Sequence, residues 1–156
     1  MAVEIERKYL VDIGKWNKPD NCDKHFYRQG YILTEPEKTI RVRVTDDNGF
    51  ITIKGKPVGA SRSEYEYSIP RQDATELLDK FCASVVSKFR YKVPFAGKVW
   101  EVDEFLEANE GLIVAEIELT SEDETFERPE WISEEVTGIE KYYNSNLSKH
   151  PFKHWH

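Results

Sequence analysis

The sequence predicts an α+β fold that is mainly antiparallel β: an eight-stranded sheet closed into a barrel, with a few helices outside it. Three observations lead there. Apolar residues alternate with polar ones at every second position in eight stretches, near 2–11, 25–34, 38–46, 49–55, 62–70, 87–95, 98–106 and 112–119. Turn residues fall between most of these stretches, and helix signals are few. Seven of the eight stretches also carry one charged row and one largely apolar row. An open sheet of that size would leave two unpaired edges, and closure removes them.

The elements follow in order. The first stretch places Glu4, Glu6 and Lys8 on one face and Val3, Ile5 and Tyr9 on the other. The second, 25–34, is bounded by the breaker Glu35-Pro36-Glu37 and has no charged row. In the third, Arg41 and Arg43 oppose Ile40, Val42 and Val44, and Asp47-Asn48-Gly49 turns the chain as a hairpin. Thr52 and Lys54 oppose Ile51 and Ile53 in the fourth, which ends in the longer loop Gly55–Gly59. That loop is no phosphate-cradling Walker motif, because no Gly-Lys-Ser/Thr follows at the required spacing. Arg62, Glu64 and Glu66 oppose Tyr65, Tyr67 and Ile69 in the fifth.

Asp73 can cap a helix over 74–83 whose apolar face is Leu77, Leu78 and Phe81. Lys88, Arg90 and Lys92 then oppose Phe89, Tyr91 and Val93, and Ala96-Gly97-Lys98 joins this strand to the next. Glu101 and Asp103 oppose Val102; past Glu110-Gly111, Glu116 and Glu118 oppose Ala115, Ile117 and Leu119. Ser121, with Glu122, Asp123 and Glu124 behind it, reads as an acidic helix start ended near Pro129, and a last helix is expected over 139–147.

Composition bounds the function. The 156 residues carry 22 Lys and Arg against 29 Asp and Glu, a net charge of −7, with 39% apolar and 13% aromatic residues. That is the length of a single domain, 1–156, in which roughly 70% of the unfolded chain's surface can be buried. No apolar run approaches the ~18 residues of a membrane span. The start MAVEIERKYLV puts charges where a signal peptide needs an apolar core, so a cytoplasmic protein is expected. Cys22 and Cys82 have no framework spacing and read as free packing thiols. The acidity argues against general nucleic-acid binding. His150, His154 and His156 read as a surface tail, His25 as structural, and Trp131 as packing.

The charged rows are the informative feature. One strand with a charged row is an ordinary solvated face. Across seven strands, like charges repeat roughly 7 Å apart and each row repels itself unless opposite charge lies between the rows. If the apolar face turns outward against the helices, the rows converge inside the ring. Lys8, Arg41, Arg43, Lys54, Lys88 and Arg90 then stand among Glu4, Glu6, Glu64, Glu66, Asp103, Glu116 and Glu118. Such an interior needs an anion for its cations and hard divalent ions for its carboxylates, since unpaired buried charge costs several kcal/mol. A triphosphate chelated to Mg²⁺ or Mn²⁺ meets both demands.

These residues resemble, in order and spacing, the CYTH superfamily of triphosphate tunnel metalloenzymes. Glu4-Ile5-Glu6-Arg7-Lys8 matches that family's ExExK signature. Its sequel is Arg41-x-Arg43, Lys54, Arg62-x-Glu64-x-Glu66, Lys88-x-Arg90, Asp103 and Glu116-x-Glu118, over residues 3 to about 147. The resemblance implies an eight-stranded tunnel barrel and metal-dependent phosphoryl chemistry with two ions. By position it implies that Glu4, Glu6, Asp103, Glu116 and Glu118 face the metals, with Glu4 and Glu6 also counted as catalytic. Lys8, Arg41, Arg43, Lys54 and Arg90 would bind phosphate. Lys88 would stand near the attacking water or the scissile phosphate, Glu64 and Glu66 would complete the polar wall, and Lys141 would close over the tunnel mouth.

Short length and the tail Tyr142-Tyr143-Asn144-Ser145-Asn146-Leu147 look most like the compact bacterial hydrolases of inorganic tripolyphosphate. The expected partner is a small-molecule triphosphate, with no nucleic acid and no membrane, and a homodimer is left open. The alternatives are a class IV-type adenylyl cyclase, a thiamine or nucleoside triphosphatase, and a non-catalytic polyphosphate-binding module. Binding alone would need the cations but not five metal-facing carboxylates.

Overall fold

A computed structural model describes residues 3–20 and 22–155 of the chain. Position 2 of the first expected strand and His156 of the expected tail lie outside the described residues. In chain order the strands are β1 (Val3–Val11), β2 (Asp23–Glu35), β3 (Lys38–Val44), β4 (Gly49–Gly55) and β5 (Ser61–Ile69). Helix α1 (Arg71–Phe81) follows, then β6 (Val85–Phe95), β7 (Lys98–Phe105), β8 (Ile113–Glu118), β9 (Ile132–Glu135) and α2 (Asn144–Lys149).

Every ladder is antiparallel. The strands run β5-β4-β3-β2-β6-β7-β8-β1, and β1 returns to β5, so eight of them form a ring. The closing seam is short: Val3 faces Ser63, Glu4 faces Arg62 and Ile5 faces Ser61, and the Glu6 amide donates to the Ala60 carbonyl at 3.0 Å. The edge of β1 beyond that seam is not left bare. β9, a strand absent from the sequence expectation, pairs there at Tyr9–Glu135 and Val11–Ile132.

As alternation requires, the outward rows pack beneath covering segments. Tyr9, Tyr91, Val93, Trp100, Val102, Ala115 and Ile117 form one outer core, joined by Trp131 and by the half-buried Trp16, Cys22 and Phe126. Val42 and Val44 form a second with Ala74 and Leu78 of α1, against which Cys82 packs. The helix lies so close to the sheet that a Cβ on Gly49 would stand 2.8 Å from that of Ala74, and one on Gly30 2.8 Å from that of Cys82. Only glycine allows this approach.

Three helical expectations are corrected. α1 begins at Arg71 with Pro70 at its N-cap and no side-chain cap, so Asp73 lies in the first turn, where its charge suits the helix dipole, instead of capping. No helix forms over 121–129. The Glu124 carboxylate accepts from the Thr120 amide at 2.6 Å and pairs with Lys98, while the Ser121 hydroxyl bonds Asp123. These contacts fold a local turn, after which the extended chain delivers Phe126 to the edges of Tyr9 and Trp100. The final helix is broken in two: a 3₁₀ turn over Glu140–Tyr142 and α2, separated by Tyr143 at φ −68°, ψ 136°.

That break aims the C-terminal segment into the ring. Leu10, Val86, Phe105 and Val114 continue the inward rows that carry the charges, yet they are apolar, and Leu147 of α2 is fully buried among them with Leu112. One end of the ring is therefore filled by side chains. The charged cavity occupies the rest.

Candidate active site

The cavity inside the ring has a volume of about 340 Å³. Its wall carries Lys8, Arg41, Arg43, Lys54, Arg62, Lys88, Arg90 and Lys92 against Glu4, Glu6, Glu64, Glu66, Glu101, Glu116 and Glu118, with Tyr27, Tyr31, Tyr143, Asn144 and Ser145 between them. The ladder register brings these rows level. Lys8 lies opposite Glu116 and Glu6 opposite Glu118 on β1 and β8; Thr52 lies opposite both Arg41 and Glu66.

The cations fall into two groups. Some are neutralised. Lys54 Nζ lies 3.2 Å from both Glu4 Oε1 and Glu64 Oε2, and Arg62 Nε is 3.7 Å from the same Glu4 oxygen. Arg90 grips Asp103 with both edges of its fork, at 2.7 and 2.8 Å, and reaches Glu101 at 3.3 Å. Burial opposes the Arg90 charge, but Asp103 and Glu101 hold its pKa well above the ordinary value. The two arginines of β3 are less fully partnered. Arg43 donates only to the neutral Gln29 Oε1 at 2.8 Å, and no carboxylate pairs with it among the described residues. Burial, with Arg41 and Arg90 close by, lowers its pKa to about 9, so it remains a cation at neutral pH but an uncompensated one. Arg41 bonds Thr52 and Glu66 through one terminal nitrogen, while its buried Nε has no partner.

Lys88 is fully buried. Its Nζ donates to Asp103 Oδ2 at 2.7 Å and to Asn144 Oδ1 at 3.0 Å. Burial is the largest influence on it and outweighs Asp103; with Arg90 and Arg43 adding repulsion, the pKa falls to about 7.

The acids divide in the same way. Burial opposes the charge of Glu116, yet Lys8, Arg90 and Lys88 hold its carboxyl well below the usual range. Glu6 is the reverse case: burial, then Glu116 and Glu4, push its pKa well up. Glu118 is raised by burial and by Glu101 and Glu4. Glu4 is raised mainly by burial, against the pull of Lys54. Neither Glu6 nor Glu118 has an ion-pair partner among the described residues. Carboxylates that crowd one another without a cation between them make a surplus of negative charge built from oxygen donors alone, which is the chemistry a hard divalent ion requires. Among the described residues no three acids cluster at metal-binding distance, since Glu4 and Glu116 are drawn instead to Lys54, Lys8 and Arg90.

Two residues of the expected set stand elsewhere. Asp103 does not reach the cavity wall. It is fully buried beneath Lys88 and Arg90, whose three short hydrogen bonds occupy its oxygens. Lys141 does not close the mouth: its Nζ lies 4.7 Å from the Trp155 ring centroid, because the 3₁₀ turn directs it outward. Arg62, Lys92 and Glu101 belong to the same alternating rows as the expected residues, so their positions were there to be read. Tyr27 and Gln29 sit on the strand without a charged row, and Tyr143, Asn144 and Ser145 arrive from the C-terminal segment, where no periodicity signals them.

A second cavity, of about 780 Å³, lies between the 34–39 and 55–60 turns and the C-terminal segment, and shares Thr39, Arg62, Tyr143 and Ser145 with the first. No helix among the described residues is long and apolar enough to cross a membrane.

Known proteins are similar in sequence and in fold. An inorganic triphosphatase from Acetivibrio thermocellus is 48% identical over 156 residues, covering 99% of each chain. Another from Nitrosomonas europaea is 36% identical over 152 residues, 93% of this chain and 96% of that one. A crystal structure of an inorganic triphosphatase matches the fold with a TM-score of 0.68 at 31% identity, over 95% of each chain. The CYTH domain model matches residues 2–151, which take in the whole ring and its C-terminal filling, and the chain belongs to that family.

Proposed function

We propose that this protein hydrolyses inorganic triphosphate to pyrophosphate and phosphate within the ring, in a divalent-metal-dependent reaction. The observation that carries the reading is the pair of under-compensated arginines. Arg43 lacks a carboxylate and Arg41 has a buried, unpartnered Nε, both on the wall of a cavity sized for a small anion. Buried guanidinium groups left in this state call for a polyanion, and their planar forks suit phosphate oxygens. The names of the two relatives above, matched along almost their whole length, support the same substrate.

In this reading Arg41, Arg43, Lys8, Lys54 and Arg90 bind the phosphate chain and offset charge developing on the transferred group and on the leaving pyrophosphate. Glu4, Glu6, Glu116 and Glu118 would hold Mg²⁺ or Mn²⁺, with oxygens enough for two ions. A bound ion of this kind supplies Lewis-acid stabilisation of phosphate oxygens. Lys88, with a pKa of about 7, has a neutral fraction at working pH and is suited to take a proton from the water that attacks the terminal phosphorus in line. Asp103 acts behind these groups by orienting Lys88 and Arg90, and Glu64 and Glu66 hold Lys54 and Arg41.

The test is steady-state release of phosphate and pyrophosphate from tripolyphosphate, ATP, GTP and thiamine triphosphate, each with Mg²⁺ or Mn²⁺. A tripolyphosphate rate far above the others is expected. Pyrophosphate from ATP without orthophosphate would replace the hydrolase with a cyclase. Binding without turnover on any substrate would leave a polyphosphate-binding module.

A further inference from the structure

The hydrogen bonds beside Lys88 form a chain that crosses from one element to another. Arg43 on β3 donates Nε to Gln29 Oε1 at 2.8 Å. Gln29, fully buried on β2, donates Nε2 to Asn144 Oδ1 at 3.2 Å. The same oxygen accepts Lys88 Nζ, from β6, at 3.0 Å. Arg43 at one end is a donor only, and so is Lys88 at the other in its ammonium form, so each amide then has a single workable orientation: Gln29 must turn its oxygen to Arg43 and its nitrogen to Asn144, and Asn144 must turn its oxygen to both neighbours. Flipping either would set N–H against N–H next to a buried cation.

The chain does two things. It fixes Lys88 Nζ from a second direction, since Asp103 alone leaves the ammonium one short contact to pivot about. It also does so with neutral groups, so the chain places no negative charge beside Arg43, whose positive charge stays available to an anion. Asn144 is the only link outside the ring. It is the first residue of α2, a helix anchored by Leu147 in the apolar end and by the Ser84 hydroxyl on the Ser148 carbonyl at 2.5 Å.

We propose that Asn144 is a positioning residue for the reaction: it holds Lys88 Nζ in register with the bound triphosphate and, through Gln29, sets the plane of the Arg43 guanidinium. This rests on the triphosphatase reading of the ring. The C-terminal helix then completes the site as well as filling the end of the ring, and its side-chain contact with Lys88 is one oxygen, Asn144 Oδ1.

The experiment compares wild type, Asn144→Ala, Gln29→Met, the double variant and Ser84→Ala, by tripolyphosphate kinetics and by the Lys88 side-chain NMR resonances (assigned with Lys88→Arg) in ligand-free protein. Alanine favours helix at position 144 and methionine fits the buried volume at 29, so folding is retained. Asn144→Ala is expected to lower kcat about tenfold or more, with KM within about threefold, the size of a lost hydrogen bond to a charged group. The Lys88 resonances should shift in both single variants. Because the two residues act through one chain, the double variant should be no worse than the poorer single. Ser84→Ala, which removes the hydroxyl that anchors α2 away from the cavity, should leave kcat and the resonances as they are. An Asn144→Ala enzyme with wild-type kcat and unmoved Lys88 resonances would overturn the proposal, as would losses that multiply in the double variant. Should wild type fail to hydrolyse tripolyphosphate, the substrate reading falls, while the Lys88 resonances still decide whether Asn144 positions it.

Discussion

On four neighbouring strands the inner face of the ring changes character within one pleat. Lys8, Lys88, Asp103 and Glu116 give way, two residues along and roughly 7 Å away, to Leu10, Val86, Phe105 and Val114. Both sets point inward. What separates them is what they meet: Leu147 enters one end and excludes water, whereas the other is lined mainly by charged side chains that face one another across a cavity. An inward position in a closed sheet is thus neither core nor site by itself. The filling decides, and here it arrives from the far C-terminus.

The largest test of that contrast removes charge from the polar half. Glu6→Gln or Glu118→Gln should cut turnover on the order of a thousandfold, the scale of losing a group that stabilises transition-state charge, with the fold intact by circular dichroism. Wild-type turnover in either would break the link between unpaired carboxylates and activity. The matching change in the apolar half is Leu147→Ala, expected to cost about 2–5 kcal/mol in urea unfolding while leaving the KM for tripolyphosphate near wild type. A raised KM with unchanged stability would mean the filling is part of the binding surface.

Arg41→Ala should act on binding, raising KM by about ten- to a hundredfold through loss of a charge-assisted contact, with kcat less affected. The smallest effect is electrostatic. Glu6 has a pKa raised in the folded state, so its stabilising protonation is complete below the unfolded carboxylate value and is lost as pH rises through the folded value. Without added divalent metal, Glu6→Gln should therefore melt a few degrees above wild type near pH 8, and the gap should close toward pH 4. Asp103 and Glu116 have the opposite sign: their pKa values are depressed, and their contribution is lost only as pH falls through those low folded values.

Much of the ring was legible because side-chain alternation is local. Arg41-x-Arg43 or Glu116-x-Glu118 must share a face in any strand, and the repetition of such rows indicated an inward-facing charged wall before any partner was known. Strand positions followed for the same reason. Helices were read less well, since three acids behind Ser121 satisfy a helix start equally whether Glu124 stays in a helix or turns back to Thr120 and Lys98. That choice depends on Lys98, brought close only by folding.

The sequence by itself determined the alternating rows and the charge on each, which are properties of residues a few positions apart, and the family, through the order of those rows along the chain. The tertiary structure alone decided that β1 closes on β5 and shares that edge with β9, that Asp103 lies beneath Lys88 and Arg90 instead of facing the cavity, and that Lys141 turns away. It alone brought Asn144 to Gln29 and to Lys88, which lie 115 and 56 positions away in the sequence. Burial and pairing are sums over everything that surrounds a group, and those neighbours are chosen by ring closure and by the C-terminal segment that enters it, neither of which has a local signature.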